Sequence, residues 1–403
     1  MGTGVWIQVL WKENSLSDGR GGMRPVSIVG IGQLPVLSAS TLGLRQMGAE
    51  AVRRAMADAG VDRVDALLCG NMLSSELQGQ KHLAALVADE AGLRGIEALE
   101  VGAVTASGAG AVRVAYLTVA SGQADLAVAV GVERMSEGVA LPAISKALDA
   151  EREVANGATM ISRNAELMAL YLERSGAPPH AMVWFAVNAH KNARNNPYAL
   201  FHKMRVSPQK ALTSRVIQAP LRLYDCAPIC DGAAAVVLAP SEQARAYTEM
   251  PVRILASSVA TDRFRIEDRD DPLRLEGAQL SAQKAFRQAN VNRGDVSFFE
   301  THDAFSIMSC LQLEALGFAP PGHGWRLAAE RKIGLRGPIP ITTMGGLKAR
   351  GHPIGATPVY QICEAVLQLT GRAGKNQVRN ATVGLVQSIG GAASTVITHI
   401  LGV

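Results

Sequence analysis

Ala55-Met56-Ala57-Asp58-Ala59-Gly60-Val61-Asp62-Arg63-Val64-Asp65 returns in the second half of the chain as Ala285-Phe286-Arg287-Gln288-Ala289-Asn290-Val291-Asn292-Arg293-Gly294-Asp295. Each copy reads as the end of an amphipathic helix, a breaker (Gly60 or Asn290) and a polar turn. Each then enters an apolar strand, Ala66–Cys69 or Ser297–Glu300. Upstream of the first copy lie a strand, Val26–Gly30, and a helix through Ala49, Ala51, Val52, Ala55 and Ala59. Downstream come a helix over His82–Ala91 and a strand Leu99–Val104, then a sharp turn at Thr105-Ala106-Ser107-Gly108 into a helix Ala111–Ser121. A buried strand Asp125–Gly131 follows. The turn and its helix have counterparts in Gly351–Thr357 and the helix after it, and the strand has one in Ala381–Ser388. Alternating strands and helices predict an α/β fold with a largely buried sheet. The repetition predicts two half-length α/β domains packed face to face, with their elbows meeting at the interface.

The domain limits follow from this pattern: residues 23–250 and 251–403, with Met1–Gly22 as a disordered extension and Met23 an alternative start. Between the halves, over about 133–222, the pattern loosens and polar residues rise, as in His190-Lys191-Asn192 and Asn195-Asn196-Pro197. That segment reads as a long insertion over one face, the kind of region that carries ligand contacts.

Composition narrows the function classes. Apolar residues make up 48% of the chain and charged residues 19%, which describes a well-cored globular protein. Aromatics are only 4%, against a stacking platform for single-stranded nucleic acid. The formal charge of +5 is spread without like-charge runs, so nucleic acid is not an expected partner, though a polyanionic small molecule would be attracted. No apolar run reaches membrane-spanning length. The cysteines (Cys69, Cys226, Cys230, Cys310, Cys363) are odd in number and form no paired clusters, which predicts a reduced cytoplasmic protein without a zinc site.

A second stretch points to chemistry: Gly345-Gly346-Leu347-Lys348-Ala349-Arg350-Gly351-His352-Pro353-Ile354-Gly355-Ala356-Thr357. Four glycines and a proline surround one histidine, and a helical apolar pattern (Val359, Ile362, Val366, Leu367) follows directly. The glycines permit positive φ and close backbone approach. A helix start aims N–H groups and a positive dipole end at the loop, and a histidine there is placed as a base.

These pieces resemble the thiolase superfamily, most closely its sterol-carrier-protein-type and archaeal-type members. The resemblance rests on Gly131-Val132-Glu133-Arg134-Met135-Ser136, on Asp225–Ala235, on Thr301-His302-Asp303-Ala304-Phe305-Ser306, on Gly345–Thr357 and on Ser388-Ile389-Gly390-Gly391, all in the family's order from Met23 onward. It implies a five-layered αβαβα fold of two repeated domains with an inserted loop domain. It also implies a homodimer or homotetramer, and an acyltransferase of the acetyl-CoA acetyltransferase type. Coenzyme A thioesters would be substrates, with no tightly bound cofactor and no metal. By the same resemblance His352 is the base that activates the nucleophile, and His302 completes an oxyanion hole. Gly390 and Gly391, with the Thr105 N–H, form a second hole, and Gly351 is placed with them among the oxyanion and substrate-binding residues.

The chain departs from the family at the nucleophile. Its elbow reads Val104-Thr105-Ala106-Ser107-Gly108, with Thr105 where the family has cysteine. A thiol ionises near about 8.5 and is readily pulled lower at a helix N-terminus, whereas an alcohol stays protonated at neutral pH. The family's second cysteine is missing too: Ser388 and Ala304 stand at the two places where members carry it. Two further readings follow. Some thiolase-like proteins without the cysteine act as CoA-thioester lyases beside a small OB-fold partner, although those replace the histidine motifs that this chain keeps. A non-catalytic acyl-CoA-binding subunit of a thiolase-type partner is the other.

Several residues also carry plainer expectations. Thr105 reads as a helix N-cap as well as a nucleophile position. Ser388 reads as a small strand-end residue, and His302 as a structural histidine paired with Asp303. His190 and His202 are expected at the surface, and Cys226 and Cys230 in the core. Lys191, Arg194, Lys203 and Arg205 are placed either on CoA phosphates or on a solvated face.

Overall fold

The computed structural model describes residues 23–403, so the expected extension Met1–Gly22 lies outside the described residues. The first half gives β1 (Val26–Gln33), α1 (Leu44–Ala59), β2 (Ala66–Gly70), α2 (Ser74–Leu77), α3 (Leu83–Ala91), β3 (Glu97–Val101), α4 (Ser107–Ala120) and β4 (Ala127–Arg134). Next come α5 (Ala140–Ser145), α6 (Met160–Ser175), α7 (Val183–Ala193), α8 (Pro208–Leu212) and a small hairpin of β5 (Val216–Gln218) and β6 (Leu221–Arg222). β7 (Asp231–Pro240) closes the first half, and the second half supplies β8 (Val252–Thr261), α9 (Glu276–Ala289), β9 (Phe298–Glu300), α10 (Ser306–Ala315), α11 (Gly324–Ala329), α12 (Thr357–Leu369), β10 (Val383–Gly390) and β11 (Thr395–Gly402).

Nine strands form one mixed sheet in the order β3-β2-β4-β7-β1-β8-β11-β10-β9. The repeat in the sequence is a repeat in this order. β2 runs parallel to β4 as β9 runs parallel to β10, and β4–β7–β1 are antiparallel neighbours as β10–β11–β8 are. Among the described residues, the only strand pairs between the two halves are Ser27↔Arg253 and Ile28↔Val252, at β1 and β8. The helix breakers act as expected: Gly60 at φ 65° ends α1 and Asn290 at φ 53° ends α9, both left-handed.

Helices fill the space on and between the half-sheets. α1 and α3 cover one outer face, setting Met47, Val52 and Leu83 against Leu67, Val130 and Val237. α9 and α10 cover the other, with Ala285 and Leu311 against Phe299, Leu385 and Ile400. α4 and α12 lie between, where Val112, Val359 and Ile362 are wholly buried among Leu68, Val236 and Val386. Burying each such aliphatic side chain contributes about 1.5–3 kcal/mol. The result is an α/β fold of five layers, helix–sheet–helix–sheet–helix.

Three details differ from the sequence expectation. The strand predicted to reach Val104 stops at Val101, because Val104 turns to φ 55° and opens a 3-10 turn over Val104–Ala106. The strand predicted from Asp125 begins at Ala127, because the Asp65 carboxylate accepts the N–H groups of Asp125 and Leu126 and holds them in a turn. The insertion carries helices α5–α8, and several of its polar residues, Asn164, His190, Asn192 and Asn196 among them, are buried.

Candidate active site

The site begins at two elbows that touch. A Cβ on Gly108 would lie 2.5 Å from the Gly355 carbonyl oxygen, and one on Gly131 would lie 2.8 Å from the same atom. Real Cβ atoms do not approach that closely, so the glycines are what let the start of α4 meet the loop before α12.

That loop is held by buried carboxylates. Gly346–Arg350 forms a single π-helical turn. The Asp303 carboxylate accepts the Leu347 N–H at 2.6 Å and Lys348 Nζ at 2.8 Å, with both charged side chains buried. Arg350 Nε donates to Glu364 at 3.0 Å, also fully buried. From β4, Glu133 takes four donors: Asn71 Nδ2 and the Leu73 N–H on one oxygen, the Met72 and Gly355 N–H groups on the other, all at 2.8–3.0 Å. Burial pushes its carboxyl up to about 7, with the four donors pulling the other way. Removing a partner from any of these pairs would strand a buried charge, which typically costs about 3–5 kcal/mol.

His352 sits on this support. Its N–H donates to Cys230 Sγ at 3.1 Å, and its Nδ1 lies 2.8 Å from Thr357 Oγ1. The Thr357 hydroxyl donates to the Pro353 carbonyl, so it accepts from Nδ1–H. This network assigns the tautomer and leaves Nε2 with a free lone pair. His302 meets the His352 ring edge-on, with centroids 5.3 Å apart. Gln312 from α10 clamps its backbone, accepting the His302 N–H at 3.0 Å and donating to its carbonyl at 2.9 Å. Burial pushes His302 down to about 4 and His352 well below the usual histidine range, so both rings are neutral at pH 7.

Both histidines face an apolar cavity of about 120 Å³ that Thr105, Cys226, Ala304, Ile389 and Gly391 also line. Thr105 stands at the head of α4, presented by Val104 in its left-handed conformation, which is costly for a β-branched residue. The Thr105 hydroxyl donates to the Ile389 carbonyl, and no hydrogen bond joins it to His352. The arrangement therefore offers a neutral base and a neutral imidazole donor beside an alcohol engaged elsewhere.

The remaining candidates separate. Ser388 does not line the cavity; its buried hydroxyl donates to Gln361 Oε1, whose amide NH2 in turn donates to the carbonyls of Glu300 and Thr301. Gly351, at φ 113°, and Gly390, where a Cβ would lie 2.6 Å from the Ala103 carbonyl, shape the backbone around it. Asp303 is paired with Lys348 and not with His302, which corrects the expected pairing. His190 is buried, not superficial, stacked on Phe201 at 5.6 Å and meeting Tyr224 edge-on. His202, Lys191, Arg194, Lys203 and Arg205 are exposed. Cys230 is core, but Cys226 is half-buried on the cavity wall, brought there by an antiparallel bridge to Phe305. Sequence reasoning placed Cys226 in the core and did not find the hub role of Glu133; both depend on long-range pairing.

Comparison with known proteins follows this geometry. The family model "Thiolase, N-terminal domain" matches residues 26–242, and "Thiolase C-terminal domain-like" matches 258–403. The chain is 40% identical over 381 residues to the acetyl-CoA acetyltransferase of Methanothermobacter thermautotrophicus, covering 94% of this chain and 99% of that protein. It is 28% identical over 363 residues to benzoylsuccinyl-CoA thiolase subunit BbsB of Thauera aromatica, covering 88% and 91%. The solved structure of an Ltp2-ChsH2(DUF35) aldolase matches with a TM-score of 0.82 at 26% identity, covering 94% of this chain and 97% of that one.

Proposed function

The chain belongs to the thiolase superfamily, and from that premise we propose an enzyme of the acetyl-CoA acetyltransferase type that binds CoA thioesters and works on them through enolate chemistry, without a covalent acyl-threonine. One observation carries this reading: the Thr105 hydroxyl is given to the Ile389 carbonyl, while His352 keeps Nε2 free beside His302. His352 takes a proton from the carbon next to the thioester carbonyl. The charge that develops on the thioester oxygen is met by a His302 ring N–H, with backbone N–H groups at Thr105 and Gly391 forming the second hole. Donors of this kind contribute roughly 2.7–4 kcal/mol each. Gly351 and Gly390, lacking a Cβ, let the neighbouring segments pack closely around the site, and Ser388 acts by fixing Gln361.

A lyase variant of the same chemistry, retro-aldol cleavage of a CoA thioester, is favoured by the likeness to the aldolase structure and by the missing thiol. In that case a DUF35-like companion chain is the expected partner. In either case we take the protein as cytoplasmic and as a homodimer or homotetramer; among the described residues no helix is long and apolar enough to cross a membrane.

Acetyl-CoA incubated with the protein in D2O tests the proposal. Deuterium should enter the acetyl methyl group, and the intact protein should gain no acyl mass. A stable acyl adduct on Thr105, or no exchange above the buffer rate, would overturn it.

A further inference from the structure

Helix α6 turns one face to the cavity, and Met160, Ile161, Asn164 and Leu167 on that face line it. Their spacing is that of an apolar helical stripe, and Asn164 alone interrupts it. Leu141 and Ile144 complete the apolar wall around this position. Asn164 is 4% exposed. Its Nδ2 donates to the Met160 carbonyl one turn back, at 2.8 Å, and its Oδ1 is buried without a partner.

That asymmetry says what the residue is for. Turning the amide over would set Oδ1 against the Met160 carbonyl, acceptor facing acceptor, so the bond to Met160 fixes the oxygen as the unpartnered end. A buried acceptor left unsatisfied is unfavourable, and a leucine or methionine of similar size would avoid the cost. A ligand that carries a hydrogen-bond donor into the apolar wall would satisfy it. A hydroxyl on an acyl chain does so; a keto oxygen brings only a second acceptor, and a methylene brings nothing.

We propose that Asn164 is a specificity-determining residue that accepts a hydrogen bond from a hydroxyl on the acyl chain, so that the pocket selects hydroxyacyl-CoA over saturated or keto thioesters of equal length. The inference rests on the CoA-thioester reading above and names the substrate class within it.

Calorimetric titration of the full chain with hexanoyl-CoA, each hydroxyhexanoyl-CoA positional isomer and a ketohexanoyl-CoA tests it. At least one hydroxy isomer should bind about tenfold or more tightly than both hexanoyl-CoA and the keto analogue. In Asn164→Leu that preference should vanish while hexanoyl-CoA binds as well or better, and the melting temperature should hold or rise. Equal binding of all isomers by the wild type overturns the inference without touching the thioester reading. So does a hydroxyl preference that persists in Asn164→Leu, or a variant that loses thermal stability and all thioester affinity together. Failure of every thioester, hexanoyl-CoA included, overturns both.

Discussion

Thr105 and Ile389, far apart in sequence, are joined by a hydrogen bond from the threonine hydroxyl to the isoleucine carbonyl. The bond ties the head of α4 to the end of β10 and draws the hydroxyl away from the histidine loop. A thiol donates far more weakly to a carbonyl and ionises far more readily at a helix N-terminus.

Thr105→Cys should therefore gain thiolysis of acetoacetyl-CoA at least about tenfold over the wild type and show an acyl-enzyme by intact-protein mass measurement. Adding His352→Ala should remove the gain, since general-base assistance is worth about a hundredfold or more. A silent Thr105→Cys that binds thioesters normally would mean the elbow is not a nucleophile position.

Activity should have an acid limb near pH 7 set by Glu133 and not by a histidine. Below that value the carboxyl takes a proton, one of its four donors loses its acceptor, and the Gly355 end of the histidine loop is released. His352 stays neutral to well below pH 6.5, so it does not titrate there. A pH profile of α-proton exchange checks this. Glu133→Gln, which imitates the protonated form, should be slow throughout and flat across the limb.

The buried histidines should weaken stability on the acid side for a separate reason. His190, His302 and His399 are each pushed down to about 4 by burial, and His352 further down. Above about pH 6.5 these rings are neutral folded or unfolded and contribute nothing. As pH drops from 6.5 toward 4 the unfolded chain takes up protons at these histidines that the fold refuses, so their contribution falls over that window, while Glu133 and Glu300, pushed up by burial to about 7 and about 8, act in the opposite sense. Urea midpoints at pH 7, 6 and 5 measure it. His399→Gln should reduce the histidine part of the slope.

Gly108→Ala should destabilise the protein by about 1–3 kcal/mol or more, because its Cβ would lie 2.5 Å from the backbone oxygen of Gly355 and 3.0 Å from Val359. Gly294→Ala, which meets nothing within 4 Å, should stay within about 0.5 kcal/mol. Denaturant midpoints of the two variants give the comparison.

The sequence made the architecture legible because its signals are local. Gly60 and Asn290 break their helices where the duplicated pattern predicts, and the apolar strands after them occupy equivalent places in the sheet. The glycine-rich loop showed the position of His352 for the same reason. What stayed hidden is set by contacts between distant segments. Cys226 reaches the cavity only through its bridge to Phe305, and Asp303 faces Lys348 because the π-helical turn brings that lysine inward. His190 is covered by Phe201 and Tyr224, which no helical period reports. The polar character that read as a loop over 133–222 belongs in part to buried side chains such as Asn192 and Asn196, which donate to the carbonyls of Thr342 and Met344, and the stripe Met160, Asn164, Leu167, Met168, Tyr171 was the available sign of α6.

The placement of β11 governs how the molecule is made. It is the last of the nine strands in sequence, yet it lies between β8 and β10. While the chain is being synthesised, β10 and β9 have no route to the rest of the sheet until Thr395–Gly402 has left the ribosome and slipped between them and β8. His302 follows directly on β9, and the Ile389 carbonyl that receives Thr105 belongs to β10. Nascent chains halted short of β11 therefore carry an open pair of half-sheets and no closed cavity wall, so the candidate site is assembled only with completion of the sheet.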